Sequence, residues 1–393
     1  MGEIYDFEHV PDRTGTASLK YDFAMRRAGR TDLLPMWVAD MDFALPEEIL
    51  DRIRERTSHG IFGYTDPDAA YFDTLESWFV RHYGWEIDRS WVTVTPGVVY
   101  AISCAVRAFT APGDAVLIQE PVYYPFREMI ELNGRRCVSS PLKNQDGYYR
   151  MDLADAEKKI AEENVRLFIL CSPHNPVGRV WKPDELREIG SICTRHDVIV
   201  VSDEIHCDFV YGKNRFTSYG SLGEMFLRNA VICTSPSKTF NMAGLQTANI
   251  LISNASLRER FRLVNEASGY SQANTLGLTA AKAAYDLGDA WLCALLDHLE
   301  ANIREAAEYL RQKAPAVRMT IPEGTYLLWM DFSQIVNSEE ELRHLIRDRA
   351  HLWLDDGSMF AEHTALFQRM NIACPQATLR QALTQLGAAL GGD

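Results

Sequence analysis

The sequence predicts an α/β fold: a three-layer αβα large domain around a mostly parallel sheet, plus a smaller α+β domain built from both chain ends. Two observations carry this. Between about residues 90 and 255, the short apolar runs WVTVT, AVLIQEP, RLFILCSP, VIVVSDE, AVICTSP and TANILIS alternate with amphipathic segments. These runs are rich in Val, Ile and Leu without strict alternation, as expected of strands covered on both faces. After about residue 285 the pattern changes to a long helical stretch and a few compact strands.

Taken in order, the first 50 residues are rich in Pro, Asp and aromatics and show no clear period, so they are expected to pack on the tail and on a partner. Residues 51–285 form the expected large domain. Within it Val98, Ile102, Ala105 and Phe109 recur at helical spacing after Gly97. PDELREIGSICTRHD starts with Pro and acids and carries Leu186, Ile189 and Ile192 on one side. Residues 286–393 form the expected small domain. There DHLEANIREAAEYLRQKA lines up Leu299, Ile303, Ala306 and Leu310, and GTYLLWMDF and MNIAC read as strands.

At 393 residues the chain has room for two or three domains, and 47% hydrophobic with 24% charged residues is ordinary for a soluble enzyme. With 54 acidic against 40 basic residues, a formal charge of -14 repels nucleic-acid phosphates and anionic lipid. Neither class of partner is expected. The amino terminus lacks the apolar stretch of a signal peptide, and no run approaches the roughly 20 apolar residues of a membrane span, so a cytoplasmic location is expected. The eight cysteines are scattered without a CxxC or Cys/His cluster and read as reduced, mostly buried side chains, with no metal site.

In an open parallel sheet, ligands bind beyond the carboxyl ends of the strands. TPGVVYA puts Gly97 between a strand and a helix, where the amides of Val98 and Val99 can face an anion. VIVVSDEIH ends in Asp203, Glu204 and His206; SPHNPVGR offers Asn175, EPVYYPF offers Tyr123, and AVICTSPSK offers Lys238. Each alone reads as structural. Together they bring an amine, a carboxylate, an amide, an aromatic ring and a glycine turn to one edge. Pyridoxal phosphate needs this set: a lysine for a Schiff base, an acid for its pyridine nitrogen, a ring to stack on, and donors for its phosphate.

AVICTSPSKTFNMAGLQ, SPHNPVGRVW, SDEIH, EPVYYPF, GTYLLWMDF and RMNIACP resemble the motifs of the class I/II aminotransferase superfamily of fold type I pyridoxal-phosphate enzymes. WVADMDF, TPGVVYA and SDEIHCD resemble its C–S lyase branch, the bacterial cystathionine β-lyases of the MalY/PatB type. The resemblance runs from about residue 30 to 385. It implies that Lys238 is the Schiff-base lysine, that Asp203 pairs with the pyridine nitrogen, that Asn175 bonds the phenolic oxygen and that Tyr123 stacks on the ring. The phosphate would lie against Gly97, Val98 and Val99, with Ser235 and Ser237 near it and Tyr64 reaching it from a neighbouring subunit. Arg369 would grip the substrate carboxylate, helped by backbone near Ala39, and a homodimer with shared sites is implied.

Two positions depart from the wider superfamily. His206 stands where many aminotransferases carry tyrosine, and Gln246 where many carry an arginine at the phosphate. His206 either orients Asp203 or the cofactor oxygen, or fills space. The expected reaction is β-elimination from L-cystathionine, L-cysteine or a cysteine S-conjugate, giving a thiol, pyruvate and ammonia. Transamination is the alternative, although ASGYSQANTLG contains no arginine for a second substrate carboxylate. A partner-binding regulator on the same fold is the second alternative.

Overall fold

A computed structural model describes residues 5–391. Its central sheet has seven strands: β1 Val92–Thr95, β2 Ala115–Ile118, β3 Arg136–Ser139, β4 Val165–Cys171, β5 Ile199–Asp203, β6 Ala230–Thr234 and β7 Ala248–Leu251. They lie in the order β1-β7-β6-β5-β4-β2-β3. All neighbours run parallel except β7, which is antiparallel to both β1 and β6. The expected mostly parallel sheet is present, and TANILIS supplies its one reversed strand. Every residue of β2, β5, β6 and β7 is buried, as two-sided cover requires.

Helices cover both faces. Helix α1, Val98–Phe109, follows β1 and buries Val98, Ile102, Ala105 and Phe109. Helix α2, Pro125–Leu132, follows β2, and α3, Pro183–Arg195, buries Leu186, Ile189 and Ile192. Each spacing read from the sequence therefore marks an inward face.

Helix α4, the 25-residue segment Asp289–Lys313, buries Leu299, Ile303, Ala306 and Leu310. It leads into a second, antiparallel sheet of β8 Arg318–Thr320, β9 Leu327–Asp331, β10 Asp355–Asp356 and β11 Phe367–Asn371, ordered β8-β9-β11-β10. The strand expected from MNIAC thus begins earlier and carries Arg369 in its middle. The amino-terminal segment packs here: Leu34–Pro35 pairs with Leu352–Trp353, and Trp37 stacks on Trp353 at 4.5 Å. That segment then crosses to the carboxyl edge of the central sheet.

Candidate active site

Strands β4, β5 and β6 are consecutive neighbours, with Cys171 opposite Asp203 and Asp203 opposite Cys233. Their carboxyl ends therefore stop at one level, a strand spacing of about 5 Å apart. Asp203 is the last residue of β5, and Asn175 and Lys238 each follow the end of their strand by one turn of chain. A cavity of about 490 Å³ opens at this edge, with Gly97, Asn175, Asp203, Lys238 and Arg369 on its wall.

Lys238 sits in the short helix Pro236–Thr239, whose first turn is capped by Ser235. Its Nζ donates to the carbonyl of Ala39 at 2.6 Å. Burial lowers its pKa to about 8; Asp40 opposes that shift, Arg369 adds to it and Asp203 opposes it. An appreciable fraction of the amine is thus neutral near physiological pH.

Asp203 is 4% exposed and accepts from the amide of Ile205 at 3.1 Å. It forms no ion pair among the described residues. Burial raises its pKa to about 7, against the Ile205 amide and the charge of Lys238. Glu204 points away: it takes Ser202 Oγ at 2.9 Å and the amide of Tyr219 at 2.8 Å, and serves the fold. His206 is buried with its Nδ1 unpartnered. Burial, then Lys238 and Arg369, hold it neutral. Its ring meets Tyr326 edge-on at 5.6 Å.

Arg369 lies opposite Asp355 in the β10–β11 ladder, and the two side chains form a buried ion pair. Its Nη1 donates to Asn175 Oδ1 at 3.0 Å and its Nη2 to the carbonyl of Trp37 at 3.1 Å, while its buried Nε has no partner. The guanidinium is therefore partly engaged, and Nε is the nitrogen left open. Asn175 uses its oxygen on Arg369, which turns its amide nitrogen toward other acceptors. The carbonyls of residues 37–40 are all held by side chains: Trp37 by Arg369, Val38 and Asp40 by Asn371, and Ala39 by Lys238 and Tyr326.

The first turn of α1 projects into the same cavity. Gly97, Val98, Val99 and Tyr100 line it, and helix geometry leaves these first amides without intrahelical acceptors. Ser237 also lines it, as do Gln246 and Tyr123. Burial pushes the Tyr123 hydroxyl pKa upward. Ser235 stands directly behind this wall, its hydroxyl 2.6 Å from that of Ser237. Its hydroxyl also donates to the carbonyl of Thr247 at 2.7 Å and accepts from the amide of Ser237 at 3.0 Å, which caps the short helix. Tyr64 is 94% exposed and absent from the wall; a single chain does not bring it to the site.

Sequence reading missed Asp355, Asp40, Tyr124 and Tyr326. Asp355 and Tyr124 line the cavity, and Tyr326 supports Ala39. Asp40 is held by Arg13 at 2.7 Å and leaves its second oxygen buried and unpartnered. The one available signal was WVADMDF, where an acid stands within an apolar stretch.

The residues fit the expected pyridoxal phosphate. Asp203 is a buried carboxylate lacking a cation, which a protonated ring nitrogen supplies. The free amides of α1 form an anion cradle, and Gln246 on the same wall is neutral. His206 Nδ1 and the amide of Asn175 remain for a ring oxygen. Among the described residues no group of three or more His, Cys, Asp or Glu is placed to hold a metal, and no helix is long and apolar enough to cross a membrane.

The chain is 42% identical over 385 residues to the cystathionine beta-lyase PatB of Bacillus subtilis, covering 98% of this chain and 100% of that protein. Cystalysin from Treponema denticola, whose crystal structure contains pyridoxal 5'-phosphate, superposes with a TM-score of 0.96 at 34% identity, covering 99% of each chain. A pyridoxal-phosphate-bound C–S lyase from Staphylococcus hominis, complexed with L-cycloserine, superposes with a TM-score of 0.92 at 32% identity, covering 99% of this chain and 98% of that one. The family model for aminotransferase class I and II matches residues 31–386. With the sheet order, the lysine after β6 and the carboxylate ending β5 all in place, the chain belongs to the class I and II aminotransferase family.

Proposed function

We propose that this protein is a pyridoxal-phosphate-dependent carbon–sulfur lyase. It removes the sulfur substituent of L-cystathionine, L-cysteine or a cysteine S-conjugate by β-elimination, releasing a thiol, pyruvate and ammonia. The observation that carries this reading is the buried Lys238 amine, its pKa lowered to about 8 and its Nζ hydrogen-bonded to a carbonyl in place of an acid. The names of the relatives support the substrate class.

Bound pyridoxal phosphate supplies an electron sink that makes a substrate Cα proton acidic. The chain supplies the rest. Val98, Val99 and Ser237 would hold the phosphate, Asp203 would hold the ring nitrogen protonated, and Asn175 with His206 would face the ring oxygen. Tyr123 would cover the ring. Arg369 binds the substrate carboxylate, assisted by backbone at Ala39. Lys238 takes the proton from Cα as general base. The Cβ–S bond then breaks, its electron pair leaves with sulfur, and Lys238 or Tyr123 returns a proton to the thiolate. Water completes the balance by converting the remaining enamine to pyruvate and ammonia.

The proposal includes a homodimer in which Tyr64 serves the partner's site. Tyr64 lies beside Ile61 and Phe62, which are 70% and 59% exposed, an apolar strip suited to burial between subunits. It also includes the cytoplasm as location, which eight unpaired cysteines support. Borohydride reduction of the holoprotein followed by peptide mapping tests the core of the reading: the label is expected on Lys238. Lys238→Ala should lose pyruvate release from L-cystathionine almost completely while folding normally. Label elsewhere, or pyruvate formed only when a keto acid is added, refutes the lyase.

A further inference from the structure

How Arg369 spends its nitrogens limits how it can grip a carboxylate. A guanidinium offers a carboxylate two forks, Nε with Nη2 and Nη1 with Nη2. Both pass through Nη2. That nitrogen already carries two acceptors, the carboxylate of Asp355 and the carbonyl of Trp37 at 3.1 Å, while Nη1 donates to Asn175 Oδ1 at 3.0 Å and the buried Nε has no partner. A carboxylate arriving at Nε therefore completes a two-point grip only by taking Nη2 from one of its holders.

The two holders are not equally replaceable. The Trp37 carbonyl is backbone, and the chain on both sides of it is pinned: the amide of Met36 donates to the carbonyl of Trp353 at 2.9 Å, the Trp37 ring stacks on Trp353, and Asn371 holds the carbonyl of Val38 at 2.7 Å. Asp355 is a buried side chain on the cavity wall, and a carboxylate can take a proton. Burial raises its pKa even against the charge of Arg369; Asp356 adds to that rise, and Arg347, 3.0 Å from Asp356, opposes it. Also facing this corner are the hydroxyls of Tyr123 and Tyr124, both pushed upward by burial and so neutral, and Lys238 and His206, which lie on the same wall and feel the charge of Arg369.

Arg369 and Asp355 together are neutral, so an added carboxylate leaves this buried corner with one excess negative charge. Two carboxylates on one guanidinium disfavour joint ionisation. One proton from solvent restores the balance.

We propose that Asp355 holds the place of the substrate carboxylate on Arg369 and yields it by taking up a proton, so that each substrate binds together with one proton. The Arg369–Asp355 ion pair is exchanged for an Arg369–substrate ion pair, the new O–H bond forms on Asp355, and the neutral acid can donate to the carboxylate that replaced it. Asp355 is thereby a positioning residue that makes carboxylate binding stronger as pH falls. This inference rests on the lyase reading, in which Arg369 anchors the substrate.

The probe is 3-(methylthio)propionate, which has the outline of a thioether substrate without the α-amino group. It is titrated into the holoenzyme by calorimetry, in two buffers of different ionisation enthalpy. Cofactor absorbance counts any proton taken by the Schiff base, and the remainder belongs to the protein. At alkaline pH the wild type should take up a remainder of about one proton per site, with Kd rising about tenfold per pH unit. Asp355→Asn should lose that remainder, flatten the rise and bind the probe more tightly than wild type at alkaline pH. No proton beyond the cofactor's in the wild type, or an unchanged slope or weaker binding at every pH in Asp355→Asn, overturns the inference and leaves the lyase standing. No binding, or binding that Arg369→Ala does not weaken, overturns the anchor and the inference together.

Discussion

Arg179 and Arg369 are both almost fully buried, at 1% and 2% exposed, yet their surroundings differ. Arg179 uses every nitrogen: Nε on Glu323 at 2.7 Å, Nη2 on Glu185 at 2.9 Å and Nη1 on the carbonyl of Tyr149. It is also sandwiched by Tyr148 and Trp181 at 4.2 and 4.7 Å. Arg369 has one carboxylate and leaves Nε unpartnered. The acids show the same contrast. Asp42 has a buried cation and a hydroxyl on one oxygen, Lys20 and Tyr21, both at 2.8 Å, whereas Asp203 holds a single amide and no cation. A buried charge paired with an opposite charge serves the fold, and one short of such a partner is a place for a ligand.

The sharpest way to break this comparison is Arg179→Ala. It strands Glu323 and Glu185, and should cost about 3–5 kcal/mol of stability by urea denaturation. Asp203→Asn comes next. A carboxyl whose folded pKa, about 7, exceeds its ordinary 3.8 makes the folded state lose stability as pH rises between those values. In cofactor-free protein the variant should escape that loss, gaining on wild type by up to about 1.4 kcal/mol per pH unit across the window, and the two should converge below pH 3.8. A parallel pH dependence in both proteins would show that Asp203 is not the open charge described.

Arg369→Ala should lose about 1.5–3 kcal/mol of substrate binding, roughly 10- to 150-fold in kcat/KM. Its stability loss should be smaller than that of Arg179→Ala, because burial already raises the Asp355 pKa and lets that acid take a proton. If the two alanine variants melt alike, the distinction between filled and open sites fails. Smallest is Asn371→Ala, which releases the carbonyls of Val38 and Asp40 from bonds of 2.7 and 2.6 Å. About 1 kcal/mol per bond and faster amide exchange across residues 37–41 are expected.

The parts legible in the sequence were those where burial on both sides erased polar residues, as in IVVSD and AVICT. Edge strand β3 and the hairpin Lys143–Gln145/Tyr148–Arg150 were not legible, because exposed pairs such as Lys143 and Arg150 carry no apolar signal. The reversal of β7 is a property of the connection, invisible in the run itself. Lys238, Asp203 and Asn175 could be found because each closes an apolar run. Asp355 could not: its pairing with Arg369 arises from the register of two short strands, which no local pattern encodes. The capping role of Ser235 was not legible either, since a serine ahead of a helical turn can cap it or face a ligand, and the local pattern is the same for both.

The carbonyl of Ala39 receives both the Lys238 amine and the Tyr326 hydroxyl, the latter at 3.0 Å. A shared acceptor of this kind makes the amine expendable to its own anchorage. In the proposed reaction Lys238 would leave that oxygen for a reacting carbon, and the tyrosine would stay behind as a second hand on it, so that the journey strands no dipole and the backbone across the pocket keeps one anchor.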